Sequence, residues 1–366
     1  MTGKKLHICL VGGEDVHKRI ELSQYLVDAG FRVTILGTSS QKFPDYVEYV
    51  NYNLVRSFSP VSDYKTVIWL KNYFKENNFD LIHTYDTKPA FLVPIALKKT
   101  KTPITRTITG LGTVFMAEGA FYTALRKLYF KLHRYAKKRV SNTVFQNIED
   151  RDIYLKNKLV EHDKTSLILS SGIELKHINK LAKRDQDPFT FICVARLVYE
   201  KGIINYLEAA RLCRDKGYTF KCLLVGPLEE NSKRLNKTIL KDYDDVVTRL
   251  GQRNDVMQLL LDSHACVLPT FREGFPRVLL EAAAVGLPIV STEVPGVKEF
   301  LKNEEDALLV EVQNSEALAN AMIRIFDDNN LAEKLAQNAL KNVEQYSLEN
   351  VANQYITIFT KTINAS

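Results

Sequence analysis

Residues 265–288 read ACVLPTFREGFPRVLLEAAAVGLP, and this stretch decides the fold. Its first residues, 265–268, form a short apolar run that predicts a buried strand. A polar turn follows, and residues 277–285 then carry the small and apolar side chains of a packed helix. A buried strand, a turn and a helix in this order form the repeating unit of α/β proteins with a parallel sheet.

The same alternation of short apolar runs and helical segments extends along the whole chain. Alternation of this kind predicts an α/β fold in which parallel sheets are covered by helices on both faces. The predicted strands are residues 6–11, 33–36, 81–84, 104–108, 142–145, 166–169, 190–194, 221–225, 246–250, 265–268, 288–291 and 307–310.

Length and linker composition predict two domains. A chain of 366 residues is long for one compact domain. The stretch 171–188 is polar and charged, and a new predicted strand begins directly after it. We therefore expect one Rossmann-like domain over residues 1–170 and a second over residues 188–345. The last predicted helix, 347–366, follows a second domain that already has its full set of predicted strands and helices. This helix is therefore a candidate to pack back onto the first domain.

Composition excludes several classes of protein. The five cysteines are odd in number and show no C-x-x-C spacing, which favours buried free thiols in a reducing cytoplasm. No stretch approaches the roughly 18 apolar residues that a membrane-spanning helix needs. We therefore expect a cytoplasmic protein that is either soluble or peripheral to a membrane.

The turn after residues 190–194 is a candidate anion site, because ligands bind parallel sheets at the carboxyl ends of their strands. Its sequence, ARLVYEKG, places Arg196 and Lys201 close to the start of the next helix, with Gly202 beside them. A guanidinium fork and an ammonium group near a helix N-terminus suit a diphosphate. The alternative interpretation is a pair of cations on an ordinary surface loop.

The turn after residues 265–268 contains Glu273, which is separated from Glu281 by seven residues. The segment Gly274, Phe275 and Pro276 predicts backbone N–H groups exposed at a helix start, where they attract anions and hydroxyl groups. Glu281 suits the vicinal hydroxyls of a ribose, and Glu273 suits a sugar. A chance pair of glutamates is the alternative.

A third turn, GQRNDV, follows residues 246–250. Its Gly251 and Arg253 suit the close approach of a planar nucleobase, and an ordinary loop is the alternative.

These turns together resemble the retaining glycosyltransferases of family 4, which have the GT-B fold. That family carries an Arg, a Lys-Gly about five residues later, and two Glu separated by seven residues before a helix of small residues. The resemblance implies two Rossmann-like domains that face a central cleft, and it covers the second predicted domain well. The residues that match are Arg196, Lys201, Gly202, Glu273 and Glu281.

The resemblance also implies roles for these residues. Arg196 and Lys201 would hold the donor diphosphate, Glu273 would lie beside the donor sugar, and Glu281 would bind the ribose. The backbone amides of Phe275 and Val278, in a loop shaped by Pro276, would contact the phosphates and the sugar.

The N-terminal half matches the family more loosely. The family has a Gly-rich turn after its first strand that approaches the donor, and here this is Gly12-Gly13. Many members carry a His in a T-x-H-G segment, where this chain has Thr109 before Gly110, followed by Gly112. The TGLG form resembles a bacterial subset that elongates glycans linked to polyprenyl diphosphate or at the cell surface.

His83, in the segment LIHTYDTK, ends a predicted strand and is a candidate for the acceptor side of the site. The alternative is a histidine whose nitrogens are satisfied in the core.

The segment 98–140 concentrates the positive charge, with eleven Lys and Arg against a single acid. Phe121, Leu125, Leu128, Leu132 and Tyr135 share one helical face, which we expect to pack in the core. Tyr122, Tyr129 and Phe130 fall outside that face and suit a membrane interface. A helix of this kind predicts contact with the anionic inner surface of a cell membrane, and the local charge argues against a nucleic-acid partner. The basic residues opposite the apolar face or flanking it are Arg126, Lys127, Lys131, Arg134, Lys137 and Lys138.

The expected reaction transfers a hexose or N-acetylhexosamine from a UDP-sugar to a glycan acceptor, with retention and without a metal or another cofactor. Asp242, Asp244 and Asp245 lie in a polar stretch that predicts a solvated surface, so they are poor candidates for a metal site. A nucleotide-sugar epimerase or hydrolase of the same fold and a non-catalytic sugar-nucleotide-binding module are the alternatives. An NAD-dependent dehydrogenase is excluded because the first strand is not followed by G-x-G-x-x-G.

Overall fold

The computed structural model describes residues 5–111, 119–176, 187–229 and 234–365. The chain divides into two compact units. The first unit comprises Met1–Gly172 together with Leu348–Ser366, and the second comprises Ile173–Ser347.

Within the described ranges, the strands are short and mostly buried. In chain order they are β1 His7–Val11, β2 Arg32–Gly37, β3 Glu48–Asn51, β4 Leu81–Thr84, β5 Ile104–Ile108, β6 Val140–Phe145, β7 Thr165–Leu167, β8 Thr190–Val194, β9 Lys221–Val225, β10 Thr248–Gly251, β11 Ala265–Leu268, β12 Ile289–Thr292 and β13 Leu308–Val310.

Helices alternate with these strands. In chain order they are α1 Ile20–Asp28, α2 Pro60–Glu76, α3 Pro89–Ala96, α4 Ala120–Ala136, α5 Ile148–Lys156, α6 Ile203–Asp215, α7 Lys237–Lys241, α8 Val256–Leu261, α9 Arg277–Ala284, α10 Ser315–Asp327, α11 Asn329–Val343 and α12 Leu348–Asn364.

Each unit contains one parallel sheet, so the predicted α/β architecture is confirmed. The first sheet has the order β3-β2-β1-β4-β5-β6-β7 and the second has the order β10-β9-β8-β11-β12-β13. In the first sheet the chain moves outward from β1 to β3 and then returns to the other side of β1 with β4. The second sheet reverses in the same way between β8 and β11. Ligands bind at such reversals, where the turns after two neighbouring strands diverge.

The central strands of the first sheet bury both of their faces, as parallel strands covered by helices do. In β1, Ile8 and Leu10 belong to the apolar cluster that includes residues of α1 and α12. Cys9 and Val11 belong to the opposite cluster, which includes residues of α2 and α3. This double burial explains why the sequence shows continuous apolar runs instead of an alternating pattern.

The last helix belongs to the first unit. Helix α12 packs against α1 and β4. The Tyr355 hydroxyl lies 3.0 Å from the Thr107 hydroxyl of β5, and Phe359 is fully buried. No helix in the described part of the chain has both the length and the apolar character needed to cross a membrane.

Candidate active site

The reversal of the second sheet brings two of the predicted site residues into contact. Lys201 follows β8 and Glu273 follows β11, and the Lys201 ammonium donates a hydrogen bond to the Glu273 carboxylate. The two side chains are only 19% and 13% exposed, so this ion pair is largely shielded from water. Because β8 and β11 are adjacent parallel strands, their turns meet at the same edge of the sheet.

A close backbone approach holds these two turns together. Gly202 has a left-handed φ of 66°, and a Cβ atom at this position would lie 1.8 Å from the Pro269 carbonyl oxygen. The Phe271 amide donates to the Glu200 carbonyl over 2.9 Å. Only glycine satisfies both the left-handed conformation and the contact distance at position 202. The glycine of the Lys-Gly pair is therefore required by the backbone geometry, independently of the charge of Lys201.

The backbone carbonyls of Glu273 and Gly274 lie close to the backbone of Gly296. Gly296 has a φ of 80°, and a Cβ atom there would lie 2.6 Å from the Gly274 carbonyl oxygen. The ring of Phe275 packs against that of Tyr346, with centroids 5.1 Å apart. The Phe275 side chain is thus engaged within the second unit, and its predicted contribution to the site is limited to its backbone amide.

Helix α9 begins directly after Pro276, which is its N-terminal capping residue. Arg277, in the first turn, donates to Glu281 over 3.0 Å. The Glu281 side chain is 17% exposed and lies one turn into the helix. Glu281 therefore follows the same β11 turn as Glu273, in the order that the sequence predicts.

Arg196 is more exposed than Lys201 and has a different partner. Its guanidinium pairs with the Glu229 carboxylate over 2.5 Å, and both side chains are about half exposed. The contact arises because β8 and β9 are neighbours: a Cβ atom at Gly226 would lie 1.8 Å from the Ala195 carbonyl oxygen. Both predicted diphosphate-binding cations of this turn are thus already paired with a carboxylate.

The third predicted turn follows the edge strand β10. Gly251 ends that strand with a φ of 66°, and Arg253 makes a bidentate ion pair with Asp255 at 2.8 and 2.6 Å. Their proposed contact with a nucleobase stays a prediction.

Two aspartates in the stretch after α7 form ion pairs with arginine side chains. Asp245 pairs with Arg211 and Arg214, and Asp244 pairs with Arg249. Among the residues that the structure describes, no group of three or more His, Cys, Asp and Glu side chains is arranged to hold a metal ion.

The reversal of the first sheet places the turn after β1 against the turn after β4. The Gly12 amide donates to the Leu36 carbonyl over 2.9 Å. The Gly13 amide donates to the Asp86 carboxylate, also over 2.9 Å. Neither glycine amide is therefore available for a phosphate, and the predicted approach of Gly12 and Gly13 to the donor stays a prediction. Asp86 lies in the same LIHTYDTK segment as His83 and was not among the predicted site residues.

His83 is a core residue, so its prediction as an acceptor-side residue is wrong. Its side chain is fully buried, with Nδ1 2.7 Å from the Thr105 hydroxyl and Nε2 2.9 Å from the Thr107 hydroxyl. Burial lowers the pKa of His83 from 6.5 to about 3, and the charge of Arg19 contributes to the shift. A neutral imidazole with both nitrogens engaged and no exposed surface cannot contact an acceptor.

Thr109 and Gly110 follow β5 directly, and both are half-buried. Gly110 has a φ of 144°, a backbone conformation that favours glycine. Gly112 lies outside the described residues.

Helix α4 buries a face that is rotated from the predicted one, so the prediction is confirmed only in part. Leu125, Leu128 and Leu132 are half-buried, and Leu132 packs against a core cluster of the first unit. Phe121 is 63% exposed and Tyr135 is 47% exposed, whereas Tyr129 and His133 are buried. The reason is a polar cluster behind the helix: the fully buried Arg106 donates to His133 Nδ1 over 3.0 Å, and the Tyr129 hydroxyl contacts that of Tyr154. A pattern that counts only apolar side chains does not find a face whose burial depends on these hydrogen bonds. The proposed interfacial role of Tyr129 is therefore wrong.

The outer face of α4 is basic. Lys127, Lys131 and Arg134 are exposed, and Arg126 is half-buried. The turn directly after α4, Lys137–Arg139, continues the basic surface with a half-buried Lys137 and an exposed Lys138. Exposed Phe121 and Tyr135 lie beside this basic face, so apolar and cationic side chains share the surface of one helix.

Family models match both halves of the chain. One described as Glycosyltransferase Family 4 matches residues 20–168, and one described as Glycosyl transferases group 1 matches residues 176–342.

Curated relatives match nearly the full length. One is the N,N'-diacetylbacillosaminyl-diphospho-undecaprenol alpha-1,3-N-acetylgalactosaminyltransferase of Campylobacter jejuni, 26% identical over 96% of this chain and 97% of the relative. Another is the UDP-Gal:alpha-D-GlcNAc-diphosphoundecaprenol alpha-1,3-galactosyltransferase of Escherichia coli, 26% identical over 89% of each chain.

A solved structure with the same fold is the sucrose-phosphate synthase of Thermosynechococcus elongatus. It has a TM-score of 0.82 and 22% identity, and the match covers 99% of this chain and 100% of the other. The paired parallel sheets, the two matching family models and this fold likeness lead to one assignment: the chain belongs to the family 4 glycosyltransferases of the GT-B fold.

Proposed function

We propose that this glycosyltransferase moves a hexose or N-acetylhexosamine from a UDP-sugar to a glycan linked to polyprenyl diphosphate, with retention of configuration and without a metal ion. The product would enter a bacterial surface polysaccharide. The observation that carries the proposal is the shielded Lys201–Glu273 pair at the reversal of the second sheet. A cation and a carboxylate at this point suit the two ends of one donor, its diphosphate and its sugar.

The donor diphosphate takes Lys201 and Arg196 as its cationic partners in this proposal. Both cations have carboxylate partners, so the bound diphosphate replaces an existing charge partner at each of them. The backbone amides at the start of α9 add hydrogen bonds, and the helix N-terminus favours negative charge. Glu281 accepts hydrogen bonds from the ribose, and Glu273 lies beside the transferred sugar.

The reaction is a front-face substitution. The bond between the sugar C1 and the β-phosphate oxygen breaks, and the acceptor oxygen bonds to C1 from the same face. The acceptor proton passes to the departing phosphate oxygen, which gains negative charge in the transition state. Lys201, Arg196 and the amides stabilise that negative charge. Electrostatic stabilisation of the transition state is the largest contribution to the rate expected at such a site.

The relatives and the TGLG segment support the acceptor class in this proposal. The names of both curated relatives specify an acceptor linked to undecaprenyl diphosphate, and that of the Escherichia coli relative specifies UDP-Gal as donor. We extend the lipid-diphosphate acceptor and the UDP-sugar donor to this chain as part of the proposal.

A lipid-linked acceptor requires the enzyme to work at a membrane surface. The exposed cations of α4 would bind anionic headgroups, each contributing about 1 kcal/mol close to the surface. Phe121 and Tyr135, exposed on the same helix, suit the interface between headgroups and acyl chains. We therefore propose a peripheral enzyme at the inner face of the cell membrane.

Nucleotide release tests the proposal. The purified protein is incubated with a panel of UDP- and GDP-sugars, with and without a polyprenyl-diphosphate-linked sugar, in the presence of EDTA. We expect UDP release that depends on the acceptor and is unaffected by EDTA, with the donor's anomeric configuration kept in the product. Release without acceptor would favour an epimerase or hydrolase. A covalent glycosyl-enzyme adduct in the mass spectrum would contradict front-face substitution.

A further inference from the structure

Asp86 has a left-handed backbone conformation in the turn that follows β4. Its φ is 67°, in the left-handed region that residues with a Cβ atom seldom adopt. It lies two residues beyond β4, at the reversal between β1 and β4, where parallel sheets bind ligands. Left-handed non-glycine residues persist where the surroundings impose them, and they cluster at ligand-binding sites.

Two contacts hold the turn that contains Asp86. The Tyr85 amide donates to the Val11 carbonyl over 2.8 Å, which fixes the residue before Asp86 against β1. On the other side, the Lys88 ammonium pairs with the half-buried Asp63 over 2.5 Å. The turn from β4 into α3 is therefore held at both ends, and Asp86 lies between the two points.

The Asp86 carboxylate has one engaged oxygen and one available oxygen. Its Oδ2 accepts a hydrogen bond from the Gly13 amide, with 2.9 Å between the two atoms. Among the described residues, none donates a hydrogen bond to Oδ1. Two cations close to this turn have other contacts. Lys88, two residues further along the chain, is paired with Asp63, and Arg19 lies over the ring of Tyr85 at 4.5 Å. Within the described part of the chain, Asp86 forms no ion pair.

The chemistry of this turn selects its ligand class. An unneutralised carboxylate repels a phosphate, and the amides of Gly12 and Gly13 are already used. A carboxylate oxygen is a strong acceptor for a hydroxyl group. A neutral ligand rich in hydroxyl groups therefore fits the Gly12–Gly13 and Asp86 turns, whereas the anionic part of a nucleotide does not.

We propose that Asp86 is an acceptor-binding residue whose Oδ1 accepts a hydrogen bond from a hydroxyl group of the acceptor sugar. This inference rests on the proposed transfer to a glycan acceptor. The hydrogen bond from the Gly13 amide to Oδ2 fixes the orientation of the carboxylate. Oδ1 therefore points in one direction and can accept a hydrogen bond from a sugar hydroxyl there.

The test compares two substitutions at Asp86 with a control elsewhere in the first unit. Asp86→Asn keeps an oxygen for the Gly13 amide and tolerates a positive φ, but it lacks the charge. Asp86→Gly removes both the carboxylate and the backbone strain. The control is Lys158→Gly, because Lys158 also has a positive φ, of 56°. Initial rates are measured against acceptor and donor concentration, and UDP affinity is measured by calorimetry.

We expect both Asp86 variants to lose about 10- to 100-fold in kcat/KM for the acceptor, the range for one hydrogen bond to a charged group. UDP affinity should stay within about 2-fold, since the proposal gives Asp86 no contact with the nucleotide. Melting of the first unit, followed through its single tryptophan, Trp69, should occur at an unchanged temperature in Asp86→Asn, which keeps an oxygen for the Gly13 amide. In Asp86→Gly, the loss of that hydrogen bond opposes the relief of the positive φ, which Lys158→Gly measures alone. A purely structural role predicts the reverse: a lower melting temperature with acceptor kinetics close to those of the wild type.

Two outcomes would overturn the inference while leaving the proposed function intact. One is an unchanged kcat/KM for the acceptor in Asp86→Asn. The other is a loss of UDP affinity with an unchanged acceptor KM, which would move Asp86 to the donor. Failure of the wild-type enzyme to transfer sugar from any donor would instead count against the proposed function itself.

Discussion

The Lys201 ammonium is hydrogen-bonded to the Glu273 carboxylate across the boundary between β8 and β11. The two residues are 72 positions apart in sequence, and they meet because the chain returns to the other side of β8 after completing β10. The Glu273 carboxylate compensates the positive charge of the largely buried Lys201 when no ligand is bound. A diphosphate that binds Lys201 must weaken this contact, so donor binding and the orientation of Glu273 are coupled.

Glu273→Gln is expected to separate binding from turnover. The amide keeps the shape of the side chain but is a weaker partner for Lys201, so UDP should bind as tightly as in the wild type or up to about 5-fold more tightly. Transfer should fall by about 100-fold, because Glu273 lies beside the sugar in the proposed complex. Calorimetry with UDP and initial rates measure the two quantities. Glu311→Gln, at an exposed position of the second unit, is the control and should change neither. Equal losses of affinity and turnover would contradict the separation.

Arg196 and Glu229 provide a second test of the diphosphate site. The pair is about half exposed, so its own contribution to stability is small, about 0–1 kcal/mol. Arg196→Ala should lower kcat/KM for the donor by about 10- to 100-fold, because a charged hydrogen bond to the diphosphate is lost. Glu229→Gln should raise donor affinity by no more than about 5-fold, and less at high salt, because it removes only a competing partner. Weaker donor binding in Glu229→Gln would mean that Glu229 itself contacts the donor.

The basic surface of α4 and of the turn directly after it predicts charge-dependent membrane binding. Replacing Lys127, Lys131 and Lys138 with Gln should reduce binding to vesicles that contain anionic lipid by about 100-fold, at about 1 kcal/mol for each lysine. Binding is measured by co-sedimentation at several salt concentrations, with vesicles of neutral lipid for comparison. The matched control replaces three exposed lysines of the second unit, Lys241, Lys302 and Lys334. If the control variant loses as much affinity as the α4 variant, net charge rather than this surface governs binding.

The sequence predicts most of the strands because parallel strands buried on both faces are continuous apolar runs. The edge strand β3 was missed for the same physical reason. Its sequence, EYVN, is exposed at both ends and half-buried between them, so no apolar run marks it. The chain reversals that create the two candidate sites depend on strand order, which apolar patterns do not encode.

Side-chain environments were predicted less well than backbone elements. The sequence places Lys201 and Glu273 on two turns, but their contact depends on the β8–β11 pairing. His83 was a candidate because it ends a predicted strand, and Tyr129 because it falls outside the apolar face of its helix. Both are buried, and their polar atoms are satisfied by residues distant in sequence. The left-handed backbone of Asp86 leaves no trace in residue type, since aspartate is common in ordinary turns.

The buried histidines make the first unit sensitive to acid. Burial holds the pKa of His83 at about 3, whereas the unfolded value is 6.5, and the pKa of His133 is also lowered by burial and by Arg106. Between pH 6.5 and pH 3 the unfolded chain therefore binds more protons than the folded one. The stability from these neutral histidines is complete above pH 6.5 and is lost as the pH falls, at up to about 1.4 kcal/mol per pH unit for each group.

The fluorescence of Trp69 isolates this effect, because the only tryptophan of the chain lies in α2 of the first unit. Urea unfolding followed at this residue should give a free energy of unfolding that decreases from pH 7 to pH 5. His83→Asn should be less stable than the wild type at pH 7, since it loses a hydrogen bond and leaves a cavity. Its dependence on pH should nevertheless be shallower by about one proton, because position 83 no longer titrates in the unfolded chain. An identical slope in His83→Asn would mean that His83 is already protonated in the folded unit, which its two hydroxyl contacts and complete burial argue against.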